Sequence, residues 1–190
     1  MTLEYDPKEG KEKLPFEGLK VYYSGSIKGA PEIDPDFAWN LVQYMVENGA
    51  NVLSEHVAGR TKTEMEEIRA RKMGVDVQTL LDMPRSIYVK DVVRKKDIEW
   101  VDEATHMVAL VNAPSHGVGM ELQHAILKPR MGMNKTPILC LVHEELLGKM
   151  SGMITGVSEE HDHAELYVRT YKTLQDAKET VFTFLAGRLQ

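Results

Sequence analysis

Five short β-like runs, separated by stretches with helical patterning, set the frame of this chain. Leu19–Tyr23, Asn51–Ser54, Met107–Val111, Ile138–Val142 and Glu165–Arg169 read as strands. The third and fourth are unbroken apolar runs, as expected of strands covered on both faces. Asp34 or Asp36 can cap a helix running to about Asn48, with Phe37, Leu41, Tyr44 and Met45 along one face and Gly49 as its stop. A polar helical stretch over about 60–82 follows, punctuated by Pro84, and the pattern then predicts helices over Val89–Glu103, Gly119–Leu127, Glu144–Met150 and Leu174–Leu185. Strands alternating with helices predict an α/β class, with a doubly wound parallel sheet and helices on both faces. Residues 1–18, charged and containing Pro7, Gly10 and Pro15, read as a flexible N-terminal lead-in to a single domain over 19–190.

Composition narrows the classes of function. With 190 residues, 43% hydrophobic and 27% charged, the chain is long enough for a full core. A net charge of −6 argues against polymeric nucleic acid, which needs clustered Lys and Arg, but leaves room for a nucleotide ligand held by a few local donors. The lone cysteine, Cys140, lies in the apolar run Pro137–Val142 and reads as core, since burial raises a thiol pKa. A single cysteine allows no internal disulfide, which fits a reducing compartment. With no apolar leader and no membrane-spanning run, a cytoplasmic location is expected, a nuclear one being left open.

In doubly wound sheets ligands sit beyond the carboxyl ends of the strands, where three loops carry small, polar or ionisable residues: Ser24–Gly29, Glu55–Gly59 and Ala113–Glu121. In the third, Met107–Val111 leads through Ala113-Pro-Ser-His-Gly-Val-Gly-Met-Glu-Leu122 into a helix expected to begin near Gly119. That register puts Glu121 in the first turn beside free N–H groups, where it either stays ionised for chemistry or only offsets the helix dipole. Ser24-Gly-Ser-Ile-Lys-Gly29 suits a phosphate, with Gly25 and Gly29 allowing positive φ and close approach, but it is equally an ordinary βα turn. It is neither a P-loop nor a dinucleotide fingerprint, and Gly117-Val-Gly119 fails the latter because Leu122 fills the third small position.

The helix ahead of the third strand adds a second carboxylate. Asp97 shares a face with Trp100 and Val101, so it is directed toward the interior or a cleft, whereas Glu99 falls on a solvated face. Asp97 is then either an acid–base group or the satisfied partner of a backbone amide or an arginine. The histidines offer no metal site: His161 and His163 lack a third ligand, and His106, His116, His124 and His143 are scattered. His56 differs in lying just past the second strand, where it can touch a base or a carboxylate. With no Ser/His/Asp order and a buried cysteine, hydrolysis by a carboxylate pair is the chemistry left, with no cofactor and no metal.

Taken together, Val21–Gly29, Val52–Val57, Asp97–Trp100, Ala113–Glu121 and Ser151–Gly156 resemble the 2′-deoxynucleoside 5′-monophosphate N-glycosidase family of the nucleoside 2-deoxyribosyltransferase superfamily, over about residues 19–185. The resemblance implies a flavodoxin-like domain with a five-stranded parallel sheet, a homodimer, and cleavage of the bond between base and deoxyribose phosphate. It implies Glu121 as nucleophile, Asp97 as general acid and base, and Tyr22 as the group orienting carboxylate or sugar. Gly25, Ser26, Ile27, Lys28 and Gly29 match the family's first nucleotide-binding loop, and Ser115 and Gly117 the second. Ser151 matches a phosphate-binding serine donated by the neighbouring subunit, with Met153 beside it and His56 at the substrate rim.

The physical logic agrees with that expectation. Breaking an N-glycosidic bond builds positive charge on the sugar, which calls for one ionised carboxylate and one proton carrier. Helix-end N–H groups would keep Glu121 ionised, leaving the more enclosed Asp97 to carry the proton. The chain departs from the family in two places. Lys28 stands where the family usually has Arg, which turns a bidentate clamp into a point charge. The segment between Gly59 and Lys90 is longer than expected, a helical insertion at about 60–88 whose Arg69, Arg71, Lys72 and Arg85 form either a lid or, given Glu64, Glu66 and Glu67 among them, a solvated surface. The solvated surface is the expectation. A small-molecule deoxynucleotide is the expected substrate, with base transfer, ribonucleotide hydrolysis and catalytically silent nucleotide sensing as the alternatives.

Overall fold

A computed structural model describes residues 13–26 and 35–189. In chain order its elements are β1 (Lys20–Gly25), α1 (Phe37–Glu47), β2 (Asn51–Val52), α2 (Lys62–Met73), α3 (Val77–Leu81), α4 (Arg85–Ile87), α5 (Lys95–Glu103), β3 (His106–Leu110), α6 (His116–Leu127), β4 (Ile138–His143), α7 (Gly152–Thr155), α8 (Glu159–Asp162), β5 (Leu166–Tyr171) and α9 (Leu174–Leu185). The strands form one parallel sheet in the order β2-β1-β3-β4-β5. This is the flavodoxin-like arrangement, with its topological switch point between β1 and β3.

Strand alternation divides the core into two layers, because successive side chains point to opposite faces. Val21 and Tyr23 of β1 join Val108, Leu139 and Leu141 under α1 and α9. Tyr22 joins Met107, Ala109, Ile138 and Cys140 under α5 and α6. Cys140 is fully buried, and its burial pushes the thiol up to about 12, as a core cysteine requires. The helical stretch 60–88 has a smaller core of its own, in which Ala70 and Leu80 meet Val92 with Met73, Val77, Met83 and Tyr88 packed around them.

Three expectations change. The chain is packed before residue 19: Phe16 is fully buried in the α1–α9 layer, and its N–H donates to the Asn48 carbonyl at 2.8 Å. The second strand ends at Val52 rather than Ser54, giving way to a 3-10 turn over Glu55–Ala58. Ser54 turns its hydroxyl inward instead, accepting from the Tyr23 N–H at 2.8 Å and donating to the Tyr23 carbonyl at 2.6 Å.

The third change bears most on function. α6 starts at His116, three residues before the expected position, because Ser115 caps it by accepting from the Val118 N–H. Glu121 therefore stands in the second turn, not beside the free N–H groups of the first. On the neighbouring helix, α4 continues through a π-helical stretch, Tyr88–Arg94, directly into α5.

Lys128 closes the far end of α5. Its side chain is buried, and the ammonium donates to the carbonyls of Val101, Asp102 and Ala104 and to Thr136 Oγ1, at 2.7–3.2 Å. A helix C-terminus that has run out of N–H partners is satisfied there by one cation.

Candidate active site

Tyr22 and Ser24 alternate with Tyr23 along β1 and so face the α5–α6 layer, one inside the core and one at the carboxyl end of the strand. Ser24 is fully buried, and its hydroxyl donates to Glu121 Oε2 at 2.5 Å. Tyr22 is also fully buried; its phenol makes no well-formed hydrogen bond, yet burial, then Glu121 and Asp97, hold its pKa well above the ordinary tyrosine value. The phenol is therefore a neutral donor facing two carboxylates. This brings Glu121, Asp97 and Tyr22 together at the switch point between β1 and β3.

Both carboxylates titrate high. Burial pushes Glu121 up to about 7, against the pull of the Ser24 hydrogen bond, with Asp97 raising it further. Burial likewise pushes Asp97 up to about 6, while Arg69 pulls it down. The expectation that helix-end N–H groups would keep Glu121 ionised is thus corrected: the helix begins earlier, and desolvation dominates. What favours ionised Glu121 is the Ser24 hydroxyl instead.

Asp97 has neighbours on two further sides. Arg69 Nη1 lies 3.4 Å from Asp97 Oδ1 and donates to the Val92 carbonyl at 3.2 Å. His56 Nε2 lies 4.0 Å from the same carboxylate oxygen, with its ring tilted against Trp100 at 5.5 Å. His56 is fully buried with both ring nitrogens unpartnered, and burial, then Arg69, lowers its pKa well below the usual imidazole value, so the ring is neutral. Arg69 itself is 5% exposed, which overturns the solvated-surface expectation for it. Arg71 remains exposed and, with Lys72, pairs with Glu55.

The remaining expected contacts are distributed unevenly. Ile27, Lys28 and Gly29 lie outside the described residues. Gly25 ends β1 without a positive φ; a Cβ there would meet the Tyr23 hydroxyl at 3.2 Å, so close approach rather than an unusual backbone favours glycine. Ser26 follows it, half-buried. Ser115 and Gly117 sit at the start of α6. Ser151 and Met153 are not gathered around Glu121: they line a groove of about 1010 Å³ along α6 that Ser115 also lines, with Met120, His124, Met150 and Ile154. Ser24 and Arg69 are the two residues that reading the sequence missed. The period-two alternation from Tyr22 pointed to the first, whereas nothing local pointed to the second.

Fold and site define a doubly wound α/β domain with a partly buried carboxylate pair at the sheet's switch point. No protein-family model matches the chain. It is 31% identical over 155 residues to 5-hydroxymethyl-dUMP N-hydrolase of Rattus norvegicus, covering 79% of this chain and 80% of that one. It is 31% identical over 136 residues to a Trichoplax adhaerens protein named provisionally as 2′-deoxynucleoside 5′-phosphate N-hydrolase 1, covering 72% of this chain and 74% of the other. The solved structure of Clostridium botulinum CMP N-glycosidase, BcmB, shares the fold at a TM-score of 0.53 and 16% identity, over 87% of this chain and 98% of that one. The chain belongs to the 2′-deoxynucleoside 5′-monophosphate N-glycosidase family of N-glycosyl hydrolases.

Proposed function

We propose that the protein hydrolyses the N-glycosidic bond of 2′-deoxynucleoside 5′-monophosphates, giving free base and 2-deoxyribose 5-phosphate. The observation that carries this is the partly buried Glu121 carboxylate, held by Ser24 and facing Tyr22 and Asp97. Glu121 attacks the anomeric carbon as the bond to the base breaks, and Asp97 passes its proton to the departing base. Water then enters, Asp97 takes its proton, and the sugar–Glu121 ester bond breaks to restore the carboxylate. Tyr22 orients Glu121, and neutral His56 faces the base beside Asp97.

The 5′-phosphate falls to the loop Gly25, Ser26, Ile27, Lys28 and Gly29, and to Ser115 and Gly117 at the start of α6, where N–H groups point outward. In this reading Ser151 completes the site of a second copy, and the chain works as a homodimer. The exposed Met120, Leu147 and Met153, the last 80% exposed, give that second copy an apolar surface beside Ser151. Among the described residues no helix is long and apolar enough to cross a membrane.

The direct test is release of free base from a panel of deoxynucleoside and ribonucleoside monophosphates, with and without an acceptor base. Deoxynucleotides should release base, Glu121→Gln should abolish the release, and Asp97→Asn should slow it by about 10²–10⁴-fold. Release that survives Glu121→Gln, or a product carrying the acceptor base, would sink the hydrolase assignment.

A further inference from the structure

Arg69 is out of place for an arginine on a helix as polar as α2. Its neighbours Glu64, Lys62 and Arg71 face outward or pair at the surface, yet Arg69 is buried and reaches across to α5. One guanidinium nitrogen bridges the Val92 carbonyl in the π-helical stretch and the Asp97 carboxylate beyond it. Val92 belongs to the small core that α2 and α3 build, so that core and the Asp97 side chain are tied through a single group. The tie is reinforced by Tyr88, whose hydroxyl donates to Glu66 of α2 at 2.6 Å.

We propose that Arg69, carried on a helix outside the sheet layers, is a positioning residue for hydrolysis: it fixes Asp97 in the orientation that serves leaving base and incoming water. The inference rests on the hydrolase reading above. Asp97 has two acceptor oxygens and sits at the end of a rotatable side chain, so a second anchor decides where its proton points. Arg69 also supplies the compensating positive charge for a pair of partly buried carboxylates. The groups facing Asp97 are Arg69 from α2, His56 from the 3-10 turn, Tyr22 from β1, Tyr88 from the π-helical stretch and Glu121 from α6. Of these five side chains Arg69 alone carries a fixed positive charge.

Two variants test this. Arg69→Met keeps the bulk and removes charge and donors; Arg69→Lys keeps the charge and loses the fork. A carboxyl NMR titration of Asp97, which needs no turnover, should show its midpoint about one unit higher in Arg69→Met and near the original value in Arg69→Lys. In turnover, Arg69→Met should lower kcat about tenfold or more with KM within twofold, move the pH profile upward, and be partly rescued by Arg69→Lys. Combined with Asp97→Asn it should cost nothing further, because the arginine acts through that carboxylate. An unshifted Asp97 midpoint in Arg69→Met, or a loss additive with Asp97→Asn, overturns the proposal while leaving the hydrolase reading intact. Should Arg69→Met not fold, a fully active Arg69→Lys with an unaltered kcat overturns the orienting role. Full turnover by Asp97→Asn sinks the hydrolase reading, and this inference with it.

Discussion

At the scale of single residues, the site is a competition between desolvation and a few hydrogen bonds. Glu121, at about 7 against an ordinary 4.5, and Asp97, at about 6 against 3.8, both bind protons more tightly in the folded chain than in the unfolded one. Their contribution to stability is therefore fully present below about pH 4 and is lost as pH rises toward 7. Glu121→Gln removes the larger part of that penalty, so its stability relative to the parent protein should increase between pH 5 and pH 8. The expected gain is on the order of 2–3 kcal/mol, read from thermal or chemical unfolding at each pH. A stability difference that stays flat across this window would show that Glu121 is not desolvated. The charge of Asp97 adds to the upward shift of Glu121, and double displacement calls for the proton to rest on Asp97 when Glu121 attacks, the reverse of the order in the free site.

Among elements, α5 has the heaviest duty, because it carries Asp97 and is anchored at both ends. Arg69 holds its approach through Val92 and Asp97, and Lys128 satisfies the carbonyls at its finish. Lys128→Met fills the same space but leaves the Val101 and Asp102 carbonyls without their cationic donor. It should destabilise the fold by about 2–4 kcal/mol in urea unfolding, with the site chemistry intact in the protein that remains folded. A loss under about 0.5 kcal/mol would place those carbonyls in contact with water instead. The start of α6 shows a cap setting an element boundary against local propensity. Gly117 and Gly119 have poor helix propensity, yet Ser115 offers an N-cap and the helix begins at His116.

For the molecule as a whole, the sheet order brings β1 and β3 together at the switch point, where Ser24 meets Glu121. The groove holding Ser151 and Met153 reaches Ser115 at the start of α6 but is not lined by Glu121, Tyr22 or Asp97 of the same chain. If a second copy supplies Ser151, mixing inactive Glu121→Gln with weakened Ser151→Ala protein should restore turnover, since half of the mixed dimer's sites regain both groups. Recovery should reach roughly a quarter of the parent activity after subunit exchange, and activity no greater than the sum of the two variants alone would place Ser151 outside the neighbouring site. Much of this architecture was legible in the chain. Local periodicity determined the alternating strands and helices, the parallel sheet, the buried Cys140 and the inward face of Asp97, because burial stamps a repeat of 2 or 3.6 on neighbouring residues. Glu121 was legible as a residue of interest, but not its environment. Phe16 in the core, the hydroxyl of Ser24 on a carboxylate 97 residues away, and Arg69 on Asp97 28 residues away were decided by tertiary structure alone. A charge on a polar helix looks the same in sequence whether it meets water or a partly buried acid. Only the folding of α2 back over α5 removes the water, and with it the ambiguity.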